Sequence, residues 1–156
     1  LKAMSGQGER TFVMIKPDGV QRGVVGSIIS RFEDKGYKMV GCKMMDTPTQ
    51  HCEKHYEEHK ERPFFNKLVT YVCSGPVVAM VWEGTESIKG SRNLIGATNP
   101  TAATPGTIRG DFAMEMGRNL IHGSDSTESA AKEISHWFED DELSKWTHHS
   151  KEWLFE

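Results

Sequence analysis

The chain has 156 residues, 26% of them charged and 37% hydrophobic, with a formal net charge of −3. That length suits a single domain with a real core, and the composition is ordinary for a soluble globular protein. The negative balance argues against a general nucleic-acid coat but leaves room for a local basic pocket. No stretch approaches the roughly 18 apolar residues of a membrane span, and no charged-then-apolar leader opens the chain. The three cysteines, Cys42, Cys52 and Cys73, lack C-x-x-C spacing. An odd set of unpatterned thiols fits a reduced, cytoplasmic protein. Met4 is the expected native start. Leu1, Lys2 and Ala3 then read as an expression remnant, and residues 4–156 as one domain.

Thr11 to Lys16 is rich in strand formers and stops at the turn sequence Pro17-Asp18-Gly19, which predicts a buried strand ending at Lys16. Val24, Val25, Ile28, Ile29 and Phe32 recur at helical spacing before Gly36, predicting a helix over about 24–35. Tyr37 to Met45 reads as a second strand. Thr47-Pro48-Thr49-Gln50 has a capping-box layout, with Thr47 as cap, Pro48 as the first helical residue and a helix running to about Lys60. A short helix over about 64–72 follows. Pro76 to Trp82 is apolar almost throughout, hence a strand buried on both faces or central in the sheet. Thr85 is the expected cap of a helix ending near Ile95. Asn99 to Arg109 reads as a long ordered loop, of the kind that is usually functional. Arg118 to His122 is the last predicted strand. Asp125 or Ser126 caps the next helix, whose buried stripe is Ala130, Ala131, Ile134, Trp137 and Phe138. The order strand-helix-strand, helical insert, strand-helix-strand predicts a ferredoxin-like α/β sandwich, with a four-stranded antiparallel sheet and a C-terminal extension.

The segment Asn119-Leu-Ile-His122-Gly123-Ser124-Asp125-Ser126 carries the clearest chemical signal. It puts an imidazole at a strand tip. Gly123 removes a side chain beside it, so that a substrate can approach. The helix N-terminus that follows favours an anion. Glu133, two turns into that helix, is spaced to fold back onto one ring nitrogen, and a nucleophile needs such an orienting partner. Neutral imidazole is nucleophilic near pH 7. A polyphosphate needs cations converging from different segments. Lys16 at a strand end, Arg92 on the helix face shared with Ile88 and Ile95, and Arg109 in the long loop are the candidates. Taken singly, each reads as a solvated surface cation.

His51, His55 and His59 recur every four residues on one helix, a stripe for metal or, more simply, a solvated or phosphate-facing one. Tyr56 is expected to pack in the core with its hydroxyl at the surface. Phe64 and Phe65 are expected in the core, though one ring could serve as an exposed platform for a base. Arg109-Gly110-Asp111 spells an adhesion tripeptide, which has little weight without a secretion signal. There is no GxxxxGK[ST] loop and no GxGxxG after a strand.

Lys16-Pro-Asp-Gly-Val, Arg62-Pro-Phe-Phe, Ser74-Gly-Pro-Val-Val, Gly96-Ala-Thr-Asn-Pro, Pro105-Gly-Thr-Ile-Arg-Gly-Asp-Phe and Asn119-Leu-Ile-His-Gly-Ser-Asp-Ser together resemble the nucleoside diphosphate kinase family over about residues 9–156. The resemblance implies that His122 takes the γ-phosphoryl group of a nucleoside triphosphate and gives it to a diphosphate. It implies that Glu133 and Ser124 steer that histidine. Lys16, Tyr56, Arg92, Thr98, Arg109 and Asn119 match positions contacting phosphates or ribose, and His59 matches a phosphate-side histidine of some members. Phe64 matches the ring that stacks on the base, opposite Met116. Mg²⁺ would ride on the phosphates, with Asp125 helping through water, and the subunits would assemble as a hexamer or a tetramer, the long C-terminal tail favouring six. Met116 replaces a usual branched aliphatic residue, and Phe155 a usual tyrosine. Two competing readings are a non-catalytic oligomeric nucleotide-binding regulator on the same fold and a metal-dependent hydrolase built on the histidine stripe.

Overall fold

The computed structural model describes residues 8–156; the expected start at Met4 lies outside the described residues. Four strands form one antiparallel sheet: β1 (Arg10–Ile15), β2 (Lys38–Asp46), β3 (Pro76–Glu83) and β4 (Ile121–Gly123), in the order β2-β3-β1-β4. That order and the alternation of elements are the ferredoxin-like sandwich that the sequence predicts.

The helices are α1 (Pro17–Gln21), α2 (Val25–Lys35), α3 (Thr49–His55), α4 (Phe65–Val72), α5 (Ser87–Ile95), α6 (Ile108–Phe112), α7 (Thr127–Trp137) and α8 (Lys151–Leu154). The two central strands are covered on both faces. Phe12, Met14, Val77, Ala79 and Val81 pack with Cys52, Val69 and Trp137 from α3, α4 and α7. Val13, Ile15, Val78, Met80 and Trp82 pack with Ile28, Phe32 and Ile95 from α2 and α5. With period-2 alternation feeding two cores, these strands read as continuous apolar runs. Gly36 ends α2 in the left-handed region at φ 99°, a conformation cheap only for glycine.

Several local expectations are corrected by tertiary contacts. Pro48 is not the first helical residue but the extended N-cap of α3, at ψ 141°. The Thr47 box is therefore out of register, and its buried hydroxyl has no protein partner. The helix stops at His55 and is followed by a 3₁₀ turn, Glu57–His59, rather than running on to Lys60. Thr85 does not cap α5. Glu86 occupies that position at φ 47°, and the Glu9 carboxylate accepts from the Ile88 amide at 2.8 Å. The cap thus comes from a residue next to β1, invisible to local pattern. Ser126, rather than Asp125, caps α7, its hydroxyl accepting from the Ser129 amide. Ala130 and Trp137 are buried as expected, but Ala131 is exposed. The long loop is ordered by a 3₁₀ turn at Pro100–Ala102 and by α6, which Thr107 caps. The adhesion tripeptide is locked inside α6: Arg109 is buried, and Asp111 pairs with Arg31 at 2.5 Å. Among the described residues, no helix is long and apolar enough to cross a membrane.

Candidate active site

β4 is shorter than predicted, and the reason shapes the site. Leu120 sits in the left-handed region at φ 70°, fully buried. A bulky residue there is strained by roughly 1–3 kcal/mol and needs its surroundings to hold it. They do. The Leu120 amide donates to Asp18 at 3.1 Å, its carbonyl accepts from the Lys16 amide at 2.8 Å, and Tyr71 donates its hydroxyl to the same Asp18 carboxylate. Strand pairing with β1 resumes only at Ile121, where Ile121 lies opposite Ile15 and His122 opposite Met14. The kink brings Asn119 to the side chain of Lys16.

His122 is half-buried in β4, one residue before the strand ends at Gly123. Its Nε2 lies 2.7 Å from Glu133 Oε2, and Ser124 Oγ donates to that same oxygen at 2.9 Å. A carboxylate only accepts, so the ring hydrogen sits on Nε2 and the Nδ1 lone pair is free. Gly123 serves a different purpose from the one predicted. A Cβ there would meet Ile95 Cδ1 at 2.6 Å, so the missing side chain admits α5 rather than a substrate.

Two of the three cations that looked like surface residues one by one are buried, and Arg92 is partly so. Lys16 is 8% and Arg109 3% exposed. Lys16 Nζ donates to Asn119 Oδ1 at 2.8 Å, and Asn119 Nδ2 donates to the Thr98 carbonyl at 3.0 Å. Arg109 donates to the carbonyls of Asn119, Gly96 and Ile121, at 3.2, 3.2 and 2.6 Å. Arg92 Nη1 reaches the Gly123 carbonyl at 3.4 Å. Among the described residues, no carboxylate accepts from Lys16 or Arg109. Burial, then the neighbouring Arg109 guanidinium, lowers Lys16 to a pKa of about 8, with Asp18 opposing. Burial and then Arg92 lower Arg109 to about 10, so it stays charged at neutral pH. Both shifts follow from cations gathered close together out of water.

The histidine stripe is not solvated. His51 stacks on His136 at 3.8 Å between ring centroids. His55 lies edge-on to His122 at 4.8 Å. Only His59 faces outward, its ring 5.5 Å from that of Phe64. The Tyr56 hydroxyl, expected at the surface, is buried without a protein partner. Of the two phenylalanines, Phe65 is buried and Phe64 is 49% exposed; Met116 is also exposed. A ring nitrogen of His55, one of His122 and a Glu133 oxygen lie within 4.8 Å of one another, a spacing a metal could bridge. The hydrogen bonds oppose it. Trp137 Nε1 donates to His55 Nδ1 at 3.0 Å. Coordination through Nε2 would put a hydrogen on Nδ1, facing the indole N–H. The sequence reading placed His55 only in a stripe and missed its contact with His122, because its partners come from α7 and β4.

A strand-tip imidazole held by a carboxylate, beside buried unpaired cations and with no P-loop, has a counterpart among known proteins. Residues 9–143 match the sequence model of nucleoside diphosphate kinase. The chain belongs to the nucleoside diphosphate kinase family. It is 61% identical over 148 residues to the nucleoside diphosphate kinase of Crocosphaera subtropica, covering 95% of this chain and 99% of that one. It is 58% identical over 153 residues to the enzyme of Neurospora crassa, covering 98% and 100%. Among solved structures, a halophilic nucleoside diphosphate kinase from Halobacterium salinarum in complex with CDP superposes with a TM-score of 0.94 at 50% identity, covering 96% of this chain and 99% of that one. A family protein from Babesia bovis gives 0.92 at 45% identity, covering 94% and 99%. Members of the nucleoside diphosphate kinase family are phosphotransferases acting between nucleotides, and they work with a divalent cation.

Proposed function

We propose that this chain moves the γ-phosphoryl group of a nucleoside triphosphate to a nucleoside diphosphate in two half-reactions through His122. The bare Nδ1 of His122 attacks the γ-phosphorus. An N–P bond forms as the bond to the β–γ bridging oxygen breaks, and the diphosphate leaves. The positive charge that grows on the ring is met by Glu133 across Nε2–H, with Ser124 holding that carboxylate. Reversal with a second diphosphate regenerates the ring. Lys16, Arg92 and Arg109 neutralise the phosphates, and Tyr56, Thr98 and Asn119 line the same pocket. Phosphoryl transfer asks mainly for positioning and charge neutralisation, which such a pocket supplies. Phe64 and Met116 are exposed rather than built around one base, which supports broad base use by stacking, with His59 beside Phe64.

Mg²⁺ is the proposed divalent cation. Asp125 fits it: its carboxylate is exposed, and the Ser129 hydroxyl, followed by nearby Arg92 and His122, holds its pKa down, so a hard anionic oxygen stands near His122. When bound, the ion would neutralise phosphate charge. Exposed Trp153 and Leu154 on the C-terminal extension support a homo-oligomer, proposed to be a hexamer, built from single-domain subunits spanning 4–156. Three free thiols support a cytoplasmic setting.

The single observation that carries the reading is the Glu133-held imidazole beside buried, unpaired cations. Incubation with γ-labelled ATP and a divalent cation is expected to leave acid-labile, base-stable phosphate on the protein, which ADP or GDP then removes. His122→Ala is expected to abolish both labelling and transfer while ADP still binds in equilibrium dialysis. Turnover by that variant would refute the proposal, and labelling that no diphosphate removes would favour the non-catalytic regulator.

A further inference from the structure

We propose that His55, clamped by the Trp137 indole, is a positioning residue for His122: a ring kept neutral and in one tautomer that sets the orientation of the nucleophile. The inference rests on the phosphohistidine reading. Trp137 Nε1–H donates to His55 Nδ1, so the ring hydrogen of neutral His55 must sit on Nε2. That Nε2 is buried with no protein acceptor. Buried donors are nearly always partnered, so an unpartnered one beside a reactive ring calls for a reason. His55 meets His122 edge-to-face, with planes at 80° and centroids 4.8 Å apart. Phe12 tilts against both rings, at 5.8 Å from His55 and 6.0 Å from His122, and stacks on Trp137 at 5.4 Å. A turn of the His122 ring would break its bond to Glu133 and meet this wall.

The charge state matters as much as the shape. The titratable groups facing His55 are His122 from β4, His136 and the Glu133 carboxylate from α7, Lys16 beyond the end of β1, and His51 and Tyr56 near it in sequence. Burial first, then His122, His136, His51 and Lys16, lowers its pKa to about 2. A cation at this distance would oppose the charge that His122 takes on during attack. A neutral ring gives support without that penalty. It also leaves one buried N–H unmatched, where it serves no fold-building contact.

Imidazole ¹⁵N spectra of the unmodified protein test the assignment without any variant. The expected pattern is Nε2–H on His55, no titration of that ring down to about pH 5, and Nε2–H with bare Nδ1 on His122. A His55 ring that titrates near its ordinary value, or that carries its hydrogen on Nδ1, overturns the proposal. For function, rates are normalised to the fraction of His122 that ATP can phosphorylate, which removes losses from poor folding. His55→Ala is expected to lower kcat about tenfold, with the nucleotide KM within about twofold and a mixture of His122 tautomers in the ¹⁵N spectrum. Trp137→Phe keeps an aromatic ring but removes the N–H. It is expected to lower kcat about threefold and to let His55 sample both tautomers. Wild-type rates per phosphorylatable site in both variants would overturn the proposal, as would lost rate with an unchanged His122 spectrum. Should the unmodified protein form no phosphohistidine, the functional reading falls, while the ¹⁵N pattern still decides the state of His55.

Discussion

The floor of the site and its outer rim are built on opposite principles. On the floor, Lys16, Asn119 and Arg109 are nearly fully buried and tied to backbone carbonyls or to each other by direct hydrogen bonds. On the rim, Phe64 is 49% and Met116 57% exposed, and Thr98 is exposed too. The floor handles charge, which must be preorganised in a place with little water to act strongly. The rim handles an aromatic face, whose attraction is tolerant of identity and needs no tight socket. In the proposed function, one region fixes where the phosphates go, and the other accepts whatever base comes with them.

Removing the floor should hurt most. Arg109→Ala is expected to lower kcat by about 10²–10³, the usual cost of one preorganised charge-stabilising group. Because Arg109 ties three carbonyls, the variant should also melt earlier, and single-turnover phosphorylation separates the two effects. A kcat within about threefold of wild type would make the floor a structural device only.

The pH profile sharpens the same point. Lys16 is held at a pKa of about 8, so the free enzyme loses its proton there. The value of kcat/KM is expected to fall about tenfold per pH unit above that point, and the limb should be missing in Lys16→Met. A profile flat to pH 10 would remove Lys16 from the phosphate pocket.

At the rim the effects should be small and of another kind. Phe64→Ala is expected to cost about 1 kcal/mol of stacking, seen as a roughly fivefold rise in KM at unchanged kcat for every nucleotide tried. A loss confined to one base would contradict a non-discriminating platform.

The last expected effect touches stability rather than turnover. His51 and His55 are depressed to about 4 and about 2, chiefly by burial. A depressed base takes up its proton more readily when unfolded. Stability is therefore full above the ordinary histidine value of about 6.5 and declines as pH falls towards those lower values. Thermal midpoints between pH 7 and 5 should show the decline, and Trp137→Phe should narrow it by releasing His55. A midpoint that does not move over this range would refute the linkage.

Which parts of this were legible beforehand follows from the range of the forces involved. β1, α2, β3 and α4 were predicted close to where they lie, because apolar period and turn residues act over a few positions. The pairing of His122 with Glu133 was legible for the same reason, since eleven positions across one strand-to-helix turn leave few alternatives. The short β4 was not. It depends on the strained Leu120, held by Asp18 about a hundred residues away. Nor was the cap of α5, supplied by Glu9. The roles of Gly123 and His55 were missed likewise, because each is defined by an element distant in sequence: α5 for the first, α7 and β4 for the second.

Taken alone, the order of residues determined the layers, the sheet-forming segments, the set of chemical groups and the family to which they belong. It could do so because periodicity and motif spacing are properties of neighbours along the chain. Tertiary structure alone decided that Lys16 and Arg109, far apart in the chain, share one dry floor, that Phe64 stays outside while Phe65 goes in, and that a tryptophan fixes the hydrogen on His55. Desolvation and hydrogen-bond direction depend on what surrounds a group in space, and those surroundings exist only once the chain has closed on itself.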